Sequence, residues 1–318
     1  MWRSWYPKDM REFRQRFSTS DECLEYLVHC RWPNGFICPK CSGKKAWLNK
    51  KRYVYECQHC GRQTSPTTGT VMHRSHIPIQ EWFWAAYLVA THTPGISALQ
   101  IQRQLGIGGY QNAWHLLHRL RRGMVNDHRS PLSGLIEADE SIIGGPAKGR
   151  VGRGVTAAKH KTLVGGAVEV LVYTSKEGRR RERAGRVRLQ VFADAGEKSI
   201  GTFMRRHVEP GSRIRTDGWR GYSAAALASY KHTIRIVGSP ERAHQRAPHI
   251  HRVFSNLKTW LLGTHHGVDP KYLQTYLDEY VFRFNRRNTP MAAFQTLLGI
   301  STRKTPMTFE KLAKPESK

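Results

Sequence analysis

Four of the six cysteines form two closely spaced pairs near the N-terminus. Cys38 and Cys41 make one C-x2-C knuckle, Cys57 and Cys60 make the other, and fifteen residues separate the two knuckles. A C-x2-C turn directs both of its thiolates towards one point, so two such turns supply the four sulfur ligands of a tetrahedral zinc site. A cage of four thiolates leaves no open coordination position. The spacing therefore predicts a structural zinc ribbon and not a catalytic metal centre.

Two aspartates stand where predicted strands end: Asp139 in IEADES and Asp217 in RIRTDGWRGY. A strand holds its last side chain rigidly, and the loop that follows leaves room for a ligand. Two-metal phosphoryl transfer needs such carboxylates close together at one end of a sheet. Strand-end aspartates are common in isolation, but this pair shares a chain with the two knuckles and with the basic helices described next. We therefore interpret Asp139 and Asp217 as a catalytic, metal-binding pair.

Basic and polar residues follow one face of a helix predicted at 110–124. A shorter helix at 98–105, capped by Ser97, precedes it, and the glycine-rich turn 106–109 separates the two. Helix, short glycine-containing turn, helix is the outline of a helix-turn-helix. The residues expected to contact DNA are His115, Arg119 and Arg122. An ordinary amphipathic hairpin packed on a core is the alternative that periodicity alone leaves open.

The C-terminal two-thirds of the chain alternate between strand and helix patterns. Strands are predicted at 135–141, 162–173, 186–193, 212–217 and 232–237, and helices at 198–207, 222–229, 251–262 and 270–284. Three early strands followed by alternating helices and strands indicate a mixed α/β domain. The basic segment 176–185 fits either a solvated hairpin tip or a loop that contacts phosphates.

The charge balance points to a polyanionic partner. Lys and Arg number 52 in the 318 residues against 24 Asp and Glu, which leaves a net charge of +28. Disorder is not expected, because 39% of the residues are hydrophobic and 10% are aromatic. A membrane protein is excluded, because no apolar run approaches bilayer length. The N-terminal segment has no apolar signal-peptide core, so we expect the protein to stay in a reducing compartment.

The chain resembles the insertion-sequence DDE transposases of the ISXO type, which join a zinc ribbon to an RNase H-like domain. The resemblance covers nearly the whole chain and is carried by CPKC…CQHC, SPTTGTVMHRSHIPIQEWFWAAYL, EADESIIGG, RTDGWRGY and HRVFSNLKTWLLGTHHGVDPKYLQTYLDEYVFRFNRR. It implies a DNA transposase that binds the inverted-repeat ends of its own element and catalyses metal-dependent cleavage and strand transfer. It also implies a homo-oligomer on double-stranded DNA, in the cytoplasm of a bacterium at the nucleoid.

In that scheme Asp139 and Asp217 match the first two catalytic carboxylates and hold Mg²⁺, with Mn²⁺ as an alternative ion. The family pattern then has a Glu seven residues before a Lys on the helix after the last strand. Counting back from Lys258, which we expect to contact transposon-end phosphates, lands on His251. Related transposases are described with Asn in place of the Glu, which makes Asn256 the second candidate. Spacing along the helix favours His251, whereas the preference of Mg²⁺ for oxygen ligands favours Asn256.

These features divide the chain into an N-terminal helix and zinc ribbon (1–70), a helix-turn-helix region (71–130), an RNase H-like catalytic domain (131–300) and a C-terminal tail (301–318). The function expected is that of a transposase. One alternative is a DNA-binding regulator without chemistry, such as an inactive transposase copy, which the missing third Glu supports. A nuclease of the same fold that cuts without joining is the other.

Overall fold

The computed structural model describes residues 6–144, 161–235 and 247–313, which form two compact units. The first unit takes in the described residues up to Asn126 and from Arg286 onwards, and the second runs from Asp127 to Asn285. Within these described ranges, no helix is both long enough and apolar enough to cross a membrane.

The helices, in chain order, are α1 (Met10–Arg16), α2 (Ser20–Arg31), α3 (Ile79–Thr91), α4 (Ala98–Leu105), α5 (Tyr110–Arg122), α6 (Glu197–His207), α7 (Pro248–His265), α8 (Leu273–Phe284), α9 (Pro290–Ser301) and α10 (Phe309–Ala313). The strands are β1 (Ala46–Asn49), β2 (Val54–Cys57), β3 (Gln63–Thr64), β4 (Leu135–Ile143), β5 (Thr162–Thr174), β6 (Arg180–Phe192), β7 (Arg213–Thr216) and β8 (Lys231–Ile234).

The core of the first unit is a cluster of aromatic rings from helices that are far apart in sequence. Phe13 of α1, Phe83 of α3 and Phe294 of α9 are fully buried. The ring centroid of Phe294 lies 5.5 Å from that of Phe13 and 5.9 Å from that of Phe83. Because aromatic rings bury large apolar areas, these contacts hold α9 in the first unit. The predicted catalytic domain, 131–300, is therefore too long, since residues 286–300 belong to the first unit.

Two other predicted boundaries also change. The sequence predicts separate regions on the two sides of residue 70, yet the described residues on both sides belong to one compact unit. The predicted tail, 301–318, contains α10. Residues 314–318 of that tail lie outside the described part of the chain.

Helices α4 and α5 begin where the sequence predicts them. The Ser97 hydroxyl accepts a hydrogen bond from the backbone N–H of Gln100 at 3.2 Å, which caps α4. Gly106 ends α4 in the left-handed conformation with φ +64°, which glycine adopts without strain. The polar-basic face of α5, however, is largely buried: His118, Arg119 and Arg121 are 1%, 6% and 2% exposed. The helical pair therefore exists, while its role as a DNA-reading element stays a prediction.

A five-stranded mixed sheet forms the centre of the second unit. Its strand order is β6-β5-β4-β7-β8. Strand β5 pairs antiparallel with both β4 and β6, whereas β7 pairs parallel with both β4 and β8. The sequence predicts all five strands, but it also predicts a helix at 222–229, where the structure has a series of turns. The predicted last strand, 232–237, begins at Lys231, and residues 236–246 lie outside the described part of the chain.

Helices cover both faces of this sheet. Successive side chains of a strand point to opposite faces. On β4, Ile136 and Ala138 join the core that includes α6, whereas Ile143 joins the core that includes α7 and α8. Glu137 and Asp139 alternate in step with Ile143. These two acids consequently point to the side of the sheet on which α7 packs.

Candidate active site and zinc centre

The four predicted zinc ligands converge in the ribbon. The Sγ atoms of Cys38, Cys41, Cys57 and Cys60 all lie within 4.8 Å of one another. The Cys38–Cys60 and Cys41–Cys57 sulfur distances are 3.7 and 3.5 Å. Four sulfurs around zinc at the usual Zn–S distance of about 2.3 Å are separated by about 3.8 Å. The cluster therefore fits a structural zinc ion.

The local backbone explains why the knuckles close in this way. Strands β1 and β2 form an antiparallel hairpin between the knuckles, and they pair Ala46 with Cys57. After the first knuckle, Gly43 lies against the sulfurs. A Cβ atom at Gly43 would approach Cys57 Sγ to 3.2 Å and Cys41 Sγ to 3.3 Å. The four-cysteine cluster therefore leaves little room for a side chain at position 43.

The two predicted catalytic aspartates lie at the same end of the parallel β4–β7 pair. Asp139 is within β4, opposite Gly166 of β5, so the prediction that it ends a strand is wrong. The β4–β7 pairing stops earlier, at Glu137, which leaves Asp139 two residues beyond the last pair. Asp217 directly follows the last residue of β7. The parallel pair, rather than the end of β4, therefore brings the two acids together.

Asp139 is the centre of an electrostatic cluster. Its Oδ1 accepts a hydrogen bond from the backbone N–H of Glu140 at 2.8 Å, and its Oδ2 lies 3.5 Å from Nε2 of His251. Burial raises the pKa of Asp139, and the charges of Asp217 and Glu137 raise it further, whereas the Glu140 N–H and His251 lower it. Like charges held together in this way create a site that favours a cation.

The loop after Asp217 is tied back to β4. Gly218 has φ +88°, and a Cβ there would lie 2.7 Å from Cγ2 of Ile234, so the turn requires glycine. Asp217 Oδ1 accepts a hydrogen bond from the backbone N–H of Trp219 at 2.9 Å. Farther along, the buried Tyr222 donates its hydroxyl proton to Glu140 Oε1 at 2.6 Å. This bond links the loop that carries Asp217 to the strand that carries Asp139.

Glu140 is a member of the site to which the sequence assigns no role. Burial raises its pKa to about 7, against the lowering effect of the Tyr222 hydrogen bond, and the charges of Asp139 and Asp217 add to the rise. The signal in the sequence was the pair of adjacent acids at the end of IEADE. The charge of Glu140 therefore interacts with those of the two aspartates, although the alternation of β4 turns its side chain to the face on which α6 packs.

Of the two candidates for the third ligand, His251 is the one beside the aspartates. It lies on α7, half-buried, with its ring nitrogen facing Asp139. Asn256 is exposed on the same helix, and no contact joins it to either aspartate in the described part of the chain. Lys258 is exposed two helical turns beyond His251, as the spacing predicts. The structure thus brings together Asp139, Asp217 and His251.

A second group of acidic residues contacts the N-terminus of α7. Glu137 is fully buried, and its Oε2 accepts hydrogen bonds from the backbone N–H groups of His249 at 2.7 Å and Ile250 at 3.2 Å. These are the first turn of α7, whose N-cap residue provides no side-chain bond. Arg215 Nη1 donates to Glu137 Oε1 at 3.1 Å and to Glu182 Oε2 at 3.2 Å.

The Glu137, Glu182 and His249 side chains also have ligand atoms within 4.8 Å of one another, a spacing compatible with a metal ion. The Arg215 guanidinium already balances both carboxylates at this place. We therefore interpret the group as an ion-pair network that holds the start of α7, with Glu137 and His249 buried and Glu182 exposed. The sequence does not reveal it, because the four residues come from β4, β6, β7 and α7.

The residues predicted to contact DNA differ in exposure. Lys258 is exposed, whereas His115 and Arg122 are half-buried and Arg119 is buried. The Arg119 Nη2 atom donates to the backbone carbonyl of His73, so this side chain also has a structural role. Contacts between these four residues and DNA stay predictions.

The geometry thus defines a mixed α/β protein with a four-cysteine ribbon and an acidic cluster at the end of two parallel strands. Residues 131–285 match the ISXO2-like transposase domain, and residues 18–63 match the transposase zinc-ribbon domain. The chain carries an ISXO2-like DDE transposase domain with an N-terminal transposase zinc ribbon.

One relative is described as an uncharacterized protein in transposable element ISH50 of Halobacterium salinarum. It is 24% identical over 215 residues, which cover 65% of this chain and 70% of the relative. This relative is archaeal, so the comparison does not support the bacterial source that the resemblance implies.

Proposed function

We propose that this protein binds the ends of its own insertion sequence and catalyses their cleavage and their transfer into target DNA. The observation that supports this most is the gathering of Asp139, Asp217 and His251 at one end of the β4–β7 pair. An RNase H-like fold is part of the proposal. It is supported by three antiparallel strands followed by two parallel ones, with the first strand of the sheet at its centre.

The donor set suits hard divalent cations. Two aspartates provide oxygen ligands of the kind that Mg²⁺ prefers, and Asp139 is held in a buried, electronegative environment. Bound there, Mg²⁺ or Mn²⁺ would polarise the scissile phosphate and lower the pKa of the attacking hydroxyl. Asp139 and Asp217 hold the ions, and His251 completes the ligand set from α7. Lys258, exposed on the same helix, binds a phosphate of the transposon end.

DNA recognition is assigned to the first unit. The charge of +28 supplies the attraction to double-stranded DNA, and the helices α4 and α5 form the outline of a helix-turn-helix. His115, Arg119 and Arg122 are the DNA-contacting residues of this proposal. Joining two ends requires two active sites, so we propose that the protein works as a homo-oligomer on DNA, within the cytoplasm at the nucleoid.

The test uses DNA that carries the ends of this element, with Mg²⁺ present. Intact ends measure cleavage, and pre-cut ends measure strand transfer. Asp139→Asn and Asp217→Asn should each lower both rates roughly a thousandfold, or about 4 kcal/mol of barrier, while DNA affinity stays near that of the unaltered protein. Asp269→Asn, the same change at an exposed site, is the matched control and should leave both rates unchanged.

The outcomes separate the alternatives. Binding without cleavage by the unaltered protein would indicate a regulator or an inactive copy. Cleavage without strand transfer would indicate a nuclease. Near-normal cleavage by either aspartate variant would remove that residue from the site.

A further inference from the structure

A cavity of about 600 Å³ that opens to solvent lies in the first unit, between the segment that precedes α3 and the turn that joins α4 to α5. Its lining includes Arg74, Trp82, Gly108, Asn112 and Arg119. All of these residues belong to the unit that ends at Asn126. The cavity is separate from the acidic cluster around Asp139, which belongs to the second unit.

Arg119 brings an unbalanced positive charge to this cavity. It is 94% buried, since its exposed fraction is 6%. Its Nε atom is buried with no hydrogen-bond partner, and its only hydrogen bond within the described residues runs from Nη2 to the His73 carbonyl. The guanidinium carbon lies 5.5 Å from the centre of the Trp82 ring. Neither the carbonyl nor the ring neutralises the charge.

Burying a charge without an opposite charge is unfavourable, so buried guanidinium groups are normally paired with carboxylates or phosphates. No carboxylate of the described residues lies within ion-pair distance of Arg119. Glu81 is the acid in the cavity lining, and it forms no ion pair with Arg119 among the described residues. The charge of Arg119 is consequently left for a ligand to balance.

The rest of the lining also suits an anion. Arg74 contributes a second positive charge. The start of α5 also faces the cavity, because Gly108, just before the helix, and Asn112, in its first turn, are both in the lining. The N-cap residue, Gly109, has no side chain to bond the first backbone N–H groups of the helix. These N–H groups carry the positive end of the helix dipole and are suited to oxygens of a phosphate.

We propose that this cavity binds a phosphate group, through the guanidinium of Arg119 and the N-terminus of α5. The phosphate is that of a DNA backbone, which would make Arg119 a positioning contact that fixes where DNA lies on α5. This assignment to DNA rests on the proposed function, whereas the phosphate site itself does not. A free phosphate ion carries the same chemistry, and the test separates the two sources.

The first measurement is thermal unfolding of the full chain in inorganic phosphate and in chloride at equal ionic strength. Phosphate should raise the Tm of the unaltered protein. Arg119→Met keeps the aliphatic stem and removes the charge. It should abolish the phosphate-dependent shift and should raise the Tm in chloride, because an unbalanced buried charge has been removed. Arg11→Met, on the exposed face of α1 and outside both the cavity lining and the α4–α5 pair, is the matched control.

The second measurement is DNA affinity against salt concentration, with a short duplex of mixed sequence. Arg119→Met should lower the slope of log K against log salt by about 1, which is the loss of one phosphate contact. Arg11→Met should leave the slope unchanged. A phosphate-dependent Tm shift that depends on Arg119, with no effect on the DNA slope, would retain the phosphate site and refute its assignment to DNA. Absence of a phosphate effect, together with a lower Tm for Arg119→Met in chloride, would overturn the proposal.

Discussion

The carboxylate of Asp139 combines rigidity with an unfavourable electrostatic environment. It is fixed by the Glu140 N–H and by its place in a paired strand, while burial and two neighbouring acids raise its pKa. A divalent cation would relieve this repulsion, as the proposed metal site requires. His251 is the group that lowers the pKa of Asp139 from the helix side. His251 is therefore the residue whose contribution to the proposed metal site is tested first.

We expect His251→Ala to lower cleavage by at least about 100-fold, because it removes the third group facing the metal site. Asn256→Ala should leave cleavage within about twofold, since Asn256 is exposed on the same helix. With an imidazole ligand, Mn²⁺ should support the reaction better than Mg²⁺, and His251→Glu should shift that preference towards Mg²⁺. The measurement is the initial cleavage rate of each variant across both ions. Loss of cleavage in Asn256→Ala, with full activity in His251→Ala, would exchange the two roles.

At the scale of elements, α7 is the helix whose position decides the geometry of the site. His251 comes one turn after the N-terminus of α7, and that terminus is held by the Glu137 carboxylate instead of a local cap. Glu137 is also two residues before Asp139 on β4. One strand therefore carries both Asp139, the proposed metal ligand, and Glu137, the group that places the opposing His251. The Tyr222–Glu140 hydrogen bond likewise fixes the loop that carries Asp217 to strand β4.

Glu137→Gln should destabilise the protein by about 3 kcal/mol, because it removes the buried partner of the half-buried Arg215 charge and weakens the cap of α7. In the double variant with Arg215→Met, the cost should be smaller than the sum of the two single costs, since the two residues interact directly. Chemical denaturation of the unaltered protein, the two single variants and the double variant gives the free energies of unfolding for this double-mutant cycle. Glu177→Gln, at an exposed turn, should change stability by less than about 0.5 kcal/mol. Strictly additive costs would show that Glu137 and Arg215 act independently.

The local elements could be predicted from the sequence, because their signals are local. The knuckle spacing, the Ser97 cap and the strand patterns at 135–141 and 162–173 each depend on residues within one segment. The position of α9 could not be predicted, because it depends on contacts between Phe294 and rings more than 200 residues away. The role of Glu137 likewise depends on three other elements. The pairing of Asp139 with Gly166 could not be predicted, because a strand's end depends on its partner.

At the scale of the whole molecule, the two units have separate cores. The first is built around aromatic rings of α1, α3 and α9, and the second around a five-stranded sheet with helices on both faces. The zinc cluster belongs to the first unit, whereas the acidic cluster belongs to the second. Loss of the metal from the ribbon should therefore affect DNA binding and catalysis in different ways.

Cys38→Ser should release zinc and unfold the ribbon, because in a small metal-bound module the free energy of metal binding is free energy of folding. The second unit should keep its own cooperative unfolding transition, since its core contains no residue of the ribbon. Cys30→Ser, at a half-buried thiol outside the cluster, is the matched control and should retain one zinc per chain. Metal analysis and thermal unfolding followed by circular dichroism measure both effects. If protein purified under zinc-replete conditions contains no zinc, the assignment of a zinc ribbon is wrong. If Cys38→Ser loses every cooperative unfolding transition, the second unit does not fold independently of the ribbon.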